Sequence, residues 1–255
     1  MILTDTHTHL YSDSFAEDRS EMIERAISSG IKRMFMPNVD LESVNGLVEL
    51  LNQFPGNLFG MMGLHPCSVE DDYKTVLAKL KKEAEKIEIV AIGEIGLDLF
   101  WKKTNLPEQT DAFVSQIEWA KSANLPIVIH SRDAIDETIK ILQSLYDSKL
   151  KGVMHCFTGN ALQAKKITDL GFYLGIGGVA TFKNSGLNEV LKTIGTDFLV
   201  LETDAPYIAP VPFRGKRNES SYLLNIAEHV ANVLEMKVEL LAEITTLNSI
   251  KLFGI

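Results

Sequence analysis

Only two cysteines, Cys67 and Cys156, occur in the 255 residues of this chain. That is too few for a disulfide framework, and they read as two reduced thiols of a cytosolic protein. No apolar run approaches the ~18 residues that a membrane span needs. The first residues, Met-Ile-Leu-Thr-Asp-Thr-His, contain no basic stretch, apolar core or small-residue cleavage site. A signal peptide is therefore not expected, and a cytoplasmic location is. Basic residues are scarce, with 25 Lys and Arg against 34 Asp and Glu and a net charge of −9. This argues against a protein that coats duplex DNA through a broad basic face. It does not exclude a cation site built from carboxylates, or a small nucleic-acid footprint with its own local charge. The 17 glycines and 8 prolines follow no period, which excludes collagen-like or low-complexity material. With 45% hydrophobic residues the chain is also not a disordered one.

What is present is an alternation of short apolar runs and amphipathic stretches. Eight runs stand out: Ile2–Asp5, Ile31–Met36, Leu58–Leu64, Ile89–Ile95, Pro126–His130, Gly152–Cys156, Phe172–Ile176 and Phe198–Glu202. Several are nearly continuous and rich in β-branched or aromatic residues, the pattern of strands buried on both faces. Helical spacing lies between them, as in Met22-Ile23-Ala26-Ile27, Val44-Leu47-Val48-Leu51 and Val76-Leu77-Leu80-Ala84. It recurs in Phe113-Val114-Ile117-Ala120, Ile135-Ile139-Leu142 and Leu162-Ile167-Leu170. Gly30 and Gly171 close the first and last of these, as helix-ending glycines do. Eight strand–helix units in ~250 residues predict an α/β fold, the (β/α)8 TIM barrel, as a single domain over residues 1–255. The rival, a doubly wound open sheet, places a Gly-rich turn after its first strand. Here His-Thr-His-Leu stands in that place. Leu223–Leu234 and Val238–Leu252 predict a closing pair of helices that covers the barrel.

The chemistry-bearing residues collect at one end of this frame. His7 and His9 follow the first strand, His65 the third, and Asp204 the eighth. Glu94, His130 and His155 are expected at the ends of the fourth, fifth and sixth. Barrel enzymes build their active sites on that face. Residues two apart in an extended chain point the same way, so His7 and His9 can both face the barrel mouth. A lone histidine ending an apolar strand is more often a satisfied core residue. Four of them with two carboxylates at matching strand ends are enough for two divalent metal ions. Mixed imidazole and carboxylate ligands suit Mg, Mn, Zn or Fe alike. His229 falls in a helical stretch and reads as surface or packing.

Arg132 follows His130 by two residues, and Arg214-Gly215-Lys216-Arg217 forms a basic loop in an otherwise acidic chain. Guanidinium forks match phosphate oxygens, so these residues point to a phosphate-bearing substrate. The plainer reading is a solvated loop with ordinary ion pairs. Phe100 and Trp101, after the fourth strand, either stack on a base or pack beneath their own loop.

Six strings then carry a resemblance. They are Thr-His-Thr-His-Leu at 6–10, Gly-Leu-His-Pro at 63–66, Gly-Glu-Ile-Gly-Leu-Asp at 93–98, Ile-His-Ser-Arg-Asp-Ala at 129–134, His-Cys-Phe-Thr-Gly at 155–159 and Glu-Thr-Asp-Ala-Pro-Tyr at 202–207. In this order, along the whole chain, they resemble the TatD family of metal-dependent deoxyribonucleases, in the amidohydrolase-like superfamily. The resemblance implies a barrel with a binuclear metal site. It implies that His7, His9 and Asp204 hold one metal, that His130 and His155 hold the other, and that Glu94 bridges both. His65, Arg132 and Arg214 would face the substrate phosphate or the attacking water. Two departures stand out. Leu99 and Phe100 follow Gly-Leu-Asp where the family often has tyrosine, and Ser220 stands where it often has proline.

The function these readings predict is hydrolysis of a DNA phosphodiester by a water that two divalent ions activate. Glu94, Asp204 and His65 are the expected catalytic residues. The acidic charge favours a single strand or an end over a wrapped duplex, hence a 3′–5′ exonuclease with no membrane and no obligate protein partner. A metal-dependent amidohydrolase or esterase is the alternative enzyme class, and the phosphate-reading arginines separate the two. A non-catalytic binding protein would have no reason to keep six matched ligands.

Overall fold

A computed structural model describes residues 1–255. Its eight strands are β1 (Leu3–Asp5), β2 (Ile31–Pro37), β3 (Leu58–Met62), β4 (Ile89–Asp98), β5 (Ile127–Arg132), β6 (Gly152–Met154), β7 (Tyr173–Ile176) and β8 (Leu199–Leu201). They lie side by side in sequence order, and every neighbouring pair is parallel. The sheet then meets itself. The Thr6 N–H donates to the Leu201 carbonyl at 3.0 Å, and a parallel bridge joins Thr8 to Ala205. This is the (β/α)8 barrel, and the open-sheet alternative is excluded.

Helices α1 (Arg19–Ser28), α2 (Ser43–Gln53), α3 (Tyr73–Ala84), α4 (Leu106–Ala123), α5 (Ile135–Leu145) and α6 (Ala161–Asp169) connect successive strands. Each buries a stripe at the expected spacing, such as Met22, Ile23 and Ala26 on α1. A seventh connecting helix, α7 (Leu187–Ile194), escaped the periodicity survey although Leu187, Val190 and Leu191 form its buried stripe. It is only 8 residues long, and Gly186 and Gly195 bound it. The closing pair is present as α8 (Leu223–Val233) and α9 (Val238–Phe253). It covers the seam rather than the mouth. The Asn248 amide on α9 donates to the carbonyls of Thr196 and Leu199, both at 2.8 Å. At the end of α9, Phe253 stacks on Phe35 with ring centroids 4.4 Å apart. Phe35, Met61, Ala91, Val128, Val153, Tyr173 and Val200, from β2 to β8, join Phe253 in a buried apolar cluster. No helix is long and apolar enough to cross a membrane.

One strand departs from expectation in a way that matters for the site. Glu94 does not end β4, because the strand runs on to Asp98. Its register against β5 shifts between Ile92 and Ile95, which marks a bulge at 93–94. A bulge inserts an extra residue and re-aims the side chains around it. Two glycines allow the close approach this needs. A Cβ at Gly93 would lie 2.6 Å from Val128 Cβ, and one at Gly96 (φ +142°) would lie 2.0 Å from the His130 carbonyl oxygen.

Candidate metal centre

The bulge puts the Glu94 carboxylate, 2% exposed, at the middle of the histidines. Its two oxygens divide them. Oε2 lies 3.2 Å from His7 Nε2 and 3.6 Å from His9 Nε2. Oε1 lies 2.9 Å from His130 Nδ1, 2.7 Å from His155 Nε2 and 3.5 Å from His65 Nε2. Asp204 Oδ1 joins the first group, 3.8 Å from His7 Nε2 and 3.5 Å from His9 Nε2. The segment 7–9 keeps both imidazoles on one side because it runs extended beside residues 204–205. His9 N–H donates to the Ala205 carbonyl at 2.7 Å, and Asp204 N–H to that of His7 at 2.9 Å. The structure thus brings together all seven of His7, His9, His65, Glu94, His130, His155 and Asp204.

Proton positions follow from the outer partners. Tyr11 spends its single hydroxyl proton on the Pro37 carbonyl at 2.7 Å, so it accepts from His9 Nδ1–H at 3.0 Å. That leaves the lone pair of His9 on Nε2, facing His7 Nε2 at 3.3 Å. Asp98 takes the Nε2–H of His130 at 2.9 Å, which leaves the lone pair of His130 on Nδ1, 3.3 Å from His155 Nε2. Ring nitrogens turned towards one another beside carboxylates are poorly satisfied by themselves. A cation near each pair turns the same lone pairs into ligands, and outer partners of this kind orient metal-binding histidines. His7, His155 and Asp204 likewise offer donor atoms within 4.8 Å of one another. The donor set therefore fits divalent metal.

His65 is a different case. The backbone N–H of Cys67 donates to its Nδ1 at 3.0 Å. A neutral His65 then carries its proton on Nε2 and presents a donor, not a lone pair, to the cluster.

The electrostatics agree with a cation site. Burial pushes the Glu94 carboxyl upward, but His155 and His7 foremost overcome this and hold it well below the usual carboxylate range. Asp204, also buried, is held low by His9 and then by His155 and His7. Burial, then the neighbouring charge of His155, pushes His7 downward. Its ring stacks on that of His155 at 3.8 Å.

Arg132 and Arg214 lie outside this cluster. Arg132 rests on the Phe100 ring, 3.9 Å from its centroid, and Arg214 on the Phe182 ring at 4.5 Å. Neither guanidinium makes a hydrogen bond or ion pair within the chain, so both forks are free. Arg217, read with Arg214 as one basic loop, is committed elsewhere. It donates to both carboxylate oxygens of Asp18, at 2.6 and 2.8 Å, and to the Ser14 carbonyl. Phe100 and Trp101 are 44% and 67% exposed, which decides against packing beneath the loop. His229 bonds Asn188 at 3.1 Å, away from the site.

Four residues of the site escaped the sequence reading. Asp98 and Tyr11 hold His130 and His9. Glu202, fully buried, accepts from the Cys156 N–H and lies 3.5 Å from His155 Nδ1. Asp5 accepts from the Thr203 N–H and hydroxyl at 2.9 and 2.6 Å, fastening β1 to the chain beyond β8. Asp98 and Glu202 stand inside quoted motif strings, and their acidity among apolar neighbours was the one available signal.

Comparison with known proteins places this geometry. The sequence model of a family described as TatD related DNase matches residues 4–254. The chain is 40% identical over 255 residues to the uncharacterized metal-dependent hydrolase YabD of Bacillus subtilis (strain 168), covering 100% of both proteins. It is 32% identical over 257 residues to the 3′-5′ ssDNA/RNA exonuclease TatD of Salmonella typhimurium, covering 98% of each. Among solved structures, YJJV, a TatD homologue from Escherichia coli K12, superposes with a TM-score of 0.93 at 27% identity, covering 99% of this chain and 98% of that one.

Proposed function

The chain belongs to the family of TatD-related DNases, and on that premise we propose that it is a metal-dependent phosphodiesterase that removes nucleotides from the 3′ end of single-stranded DNA. His7, His9 and Asp204 would hold one divalent cation, His130 and His155 a second, and Glu94 both, one oxygen to each. Mg, Mn or Zn suits this donor set. What two such ions supply when bound is a water of lowered pKa and neutralisation of charge on the phosphoryl oxygens.

The remaining work falls to the chain's own side chains. Asp204, beside the nucleophile, orients the attacking water and accepts its proton. His65 donates its Nε2–H to a phosphoryl oxygen. Arg132 and Arg214 take non-bridging oxygens in their free forks. Donors aimed where charge grows act most strongly in the transition state. As the water attacks phosphorus, the bond to the leaving ester oxygen breaks in line, and that oxygen takes up a proton from solvent water.

The observation that carries the phosphate reading is the pair of unpartnered guanidinium forks, held by Phe100 and Phe182 instead of by carboxylates. In a chain of net charge −9, two arginines seated on aromatic rings and free of acidic partners support the reading of an anionic substrate.

The test is a divalent-metal titration with 3′-labelled single-stranded DNA, comparing wild type with Glu94→Ala. Metal-dependent release of nucleotides that disappears in the variant supports the reading. Hydrolysis of a small ester or amide with no cutting of DNA overturns the substrate assignment. Equal cutting of closed circular and linear single strands overturns the exonuclease polarity.

A further inference from the structure

We propose that Trp101 and Arg132 form one nucleotide subsite at the rim of the barrel: a nucleobase stacks on the exposed indole, and the adjoining phosphate enters the guanidinium fork. The inference rests on the nuclease reading of the site and specifies which part of a single strand the rim grips.

The first observation is the exposure of the indole. Trp101 is 67% exposed, whereas tryptophan is on average a highly buried residue. Its ring stands perpendicular to that of Phe100, with centroids 4.8 Å apart and planes at 89°, so the two rings are not stacked face to face. Arg132 lies 5.5 Å from the indole centroid and 3.9 Å from that of Phe100. Phe100 is thus the nearer seat of the guanidinium, which also borders the indole, and the indole, 67% exposed, keeps open surface for a base.

The second observation is that the platform is held. Asp98 Oδ1 accepts the backbone N–H groups of Phe100 and Trp101 at 2.9 and 2.8 Å. A surface fixed in this way loses little freedom when it binds. The other oxygen of the same carboxylate holds His130 at 2.9 Å, so indole and candidate metal centre hang from one buried group.

The third observation is the position of the fork. Arg132 is the last residue of β5, two beyond His130, and none of its donors has a partner in the chain. Base and phosphate would thus be gripped side by side at a single strand end. Bases inside a duplex have their faces covered by neighbours, whereas a single strand can offer a face to the indole. Preference for single strands then arises from stacking rather than from a broad basic surface. Because every base has a π-face, such a platform tolerates any sequence.

The experiment uses the full chain loaded with Mg and carrying Trp119→Phe, which leaves Trp101 as its only indole. The probes are a single-stranded pentamer of deoxyadenylate and a pentamer of the same sugar-phosphate backbone without bases. We expect the base-bearing strand, mixed rapidly and read before turnover, to quench the indole emission, and the base-free strand to leave it unchanged. In the wild-type background, Trp101→Ala should lower kcat/KM on the base-bearing strand by roughly 5- to 150-fold. It should leave the base-free strand unaffected, and Trp101→Phe should keep most of the wild-type preference. Emission indifferent to the base-bearing strand, or equal losses on both strands in Trp101→Ala, overturns the subsite. If no DNA is cut at all, the nuclease reading fails by itself, and the quenching comparison still decides the subsite.

Discussion

Asp98 holds His130: one carboxylate oxygen lies 2.9 Å from Nε2 of the imidazole, on the side of the ring away from Glu94. The contact selects which nitrogen of His130 faces the cluster. Removing it in Asp98→Ala frees the ring to turn and to change tautomer. Metal affinity should fall by about 10- to 100-fold, as it does when such outer partners are lost. Competition with a chelator measures this, and circular dichroism checks that the barrel persists. Unchanged affinity would mean that Asp98 serves the loop alone.

His65 is predicted to act on substrate, not on metal, because the Cys67 N–H already occupies its Nδ1. His65→Ala should lower kcat by about 10²- to 10³-fold, the cost of losing one transition-state donor. Elemental analysis should find the wild-type metal content. Loss of one equivalent of metal would make His65 a ligand.

The two arginine classes should separate cleanly. Arg132→Ala should lower kcat with little change in Tm, since its fork has no partner in the chain. Arg217→Ala should do the reverse, because Asp18 and the Ser14 carbonyl consume its donors. Exposed ion pairs contribute up to about 1 kcal/mol, and Tm moves about 2–4 °C for each kcal/mol in a chain of this size. Steady-state kinetics with thermal melts of both variants checks the split. Equal kcat losses would refute it.

A pH dependence follows from the same network. Hydrogen bonds from Arg217 and then Arg25 hold the Asp18 carboxyl well below the usual carboxylate range. On acidification the unfolded chain therefore takes up this proton first. The stabilisation is complete at pH values above the unfolded value of about 4 and is lost as the pH falls below it. Urea unfolding should show Asp18→Asn less stable than wild type at pH 7, with the gap narrowing below pH 4. A constant gap would show that the charge of Asp18 is irrelevant.

Much of this protein is legible along the chain because burial leaves a local imprint. Strands buried on both faces read as continuous apolar runs, and helices with one buried stripe repeat at their own period. The eight strands, most helices and the gathering of histidines at one end follow from that imprint. α7 was missed because 8 residues hold barely two turns of periodicity.

What only the tertiary structure decided are the relations between strands. The sequence put Glu94 at the end of a strand. The register of β4 on β5 made it a bulged residue inside one, with an oxygen for each group of imidazoles. Asp98 and Tyr11 show no special spacing, since the ring that each one orients is recognised only once the chain has folded. Arg132 and Arg217 are the same residue type, yet one is free and the other bound. The difference is Asp18, 199 residues from Arg217 in the chain and in hydrogen-bond contact with it in space. Periodicity reports how deeply a residue is buried, whereas its partner is set by which distant segments the closing barrel brings together.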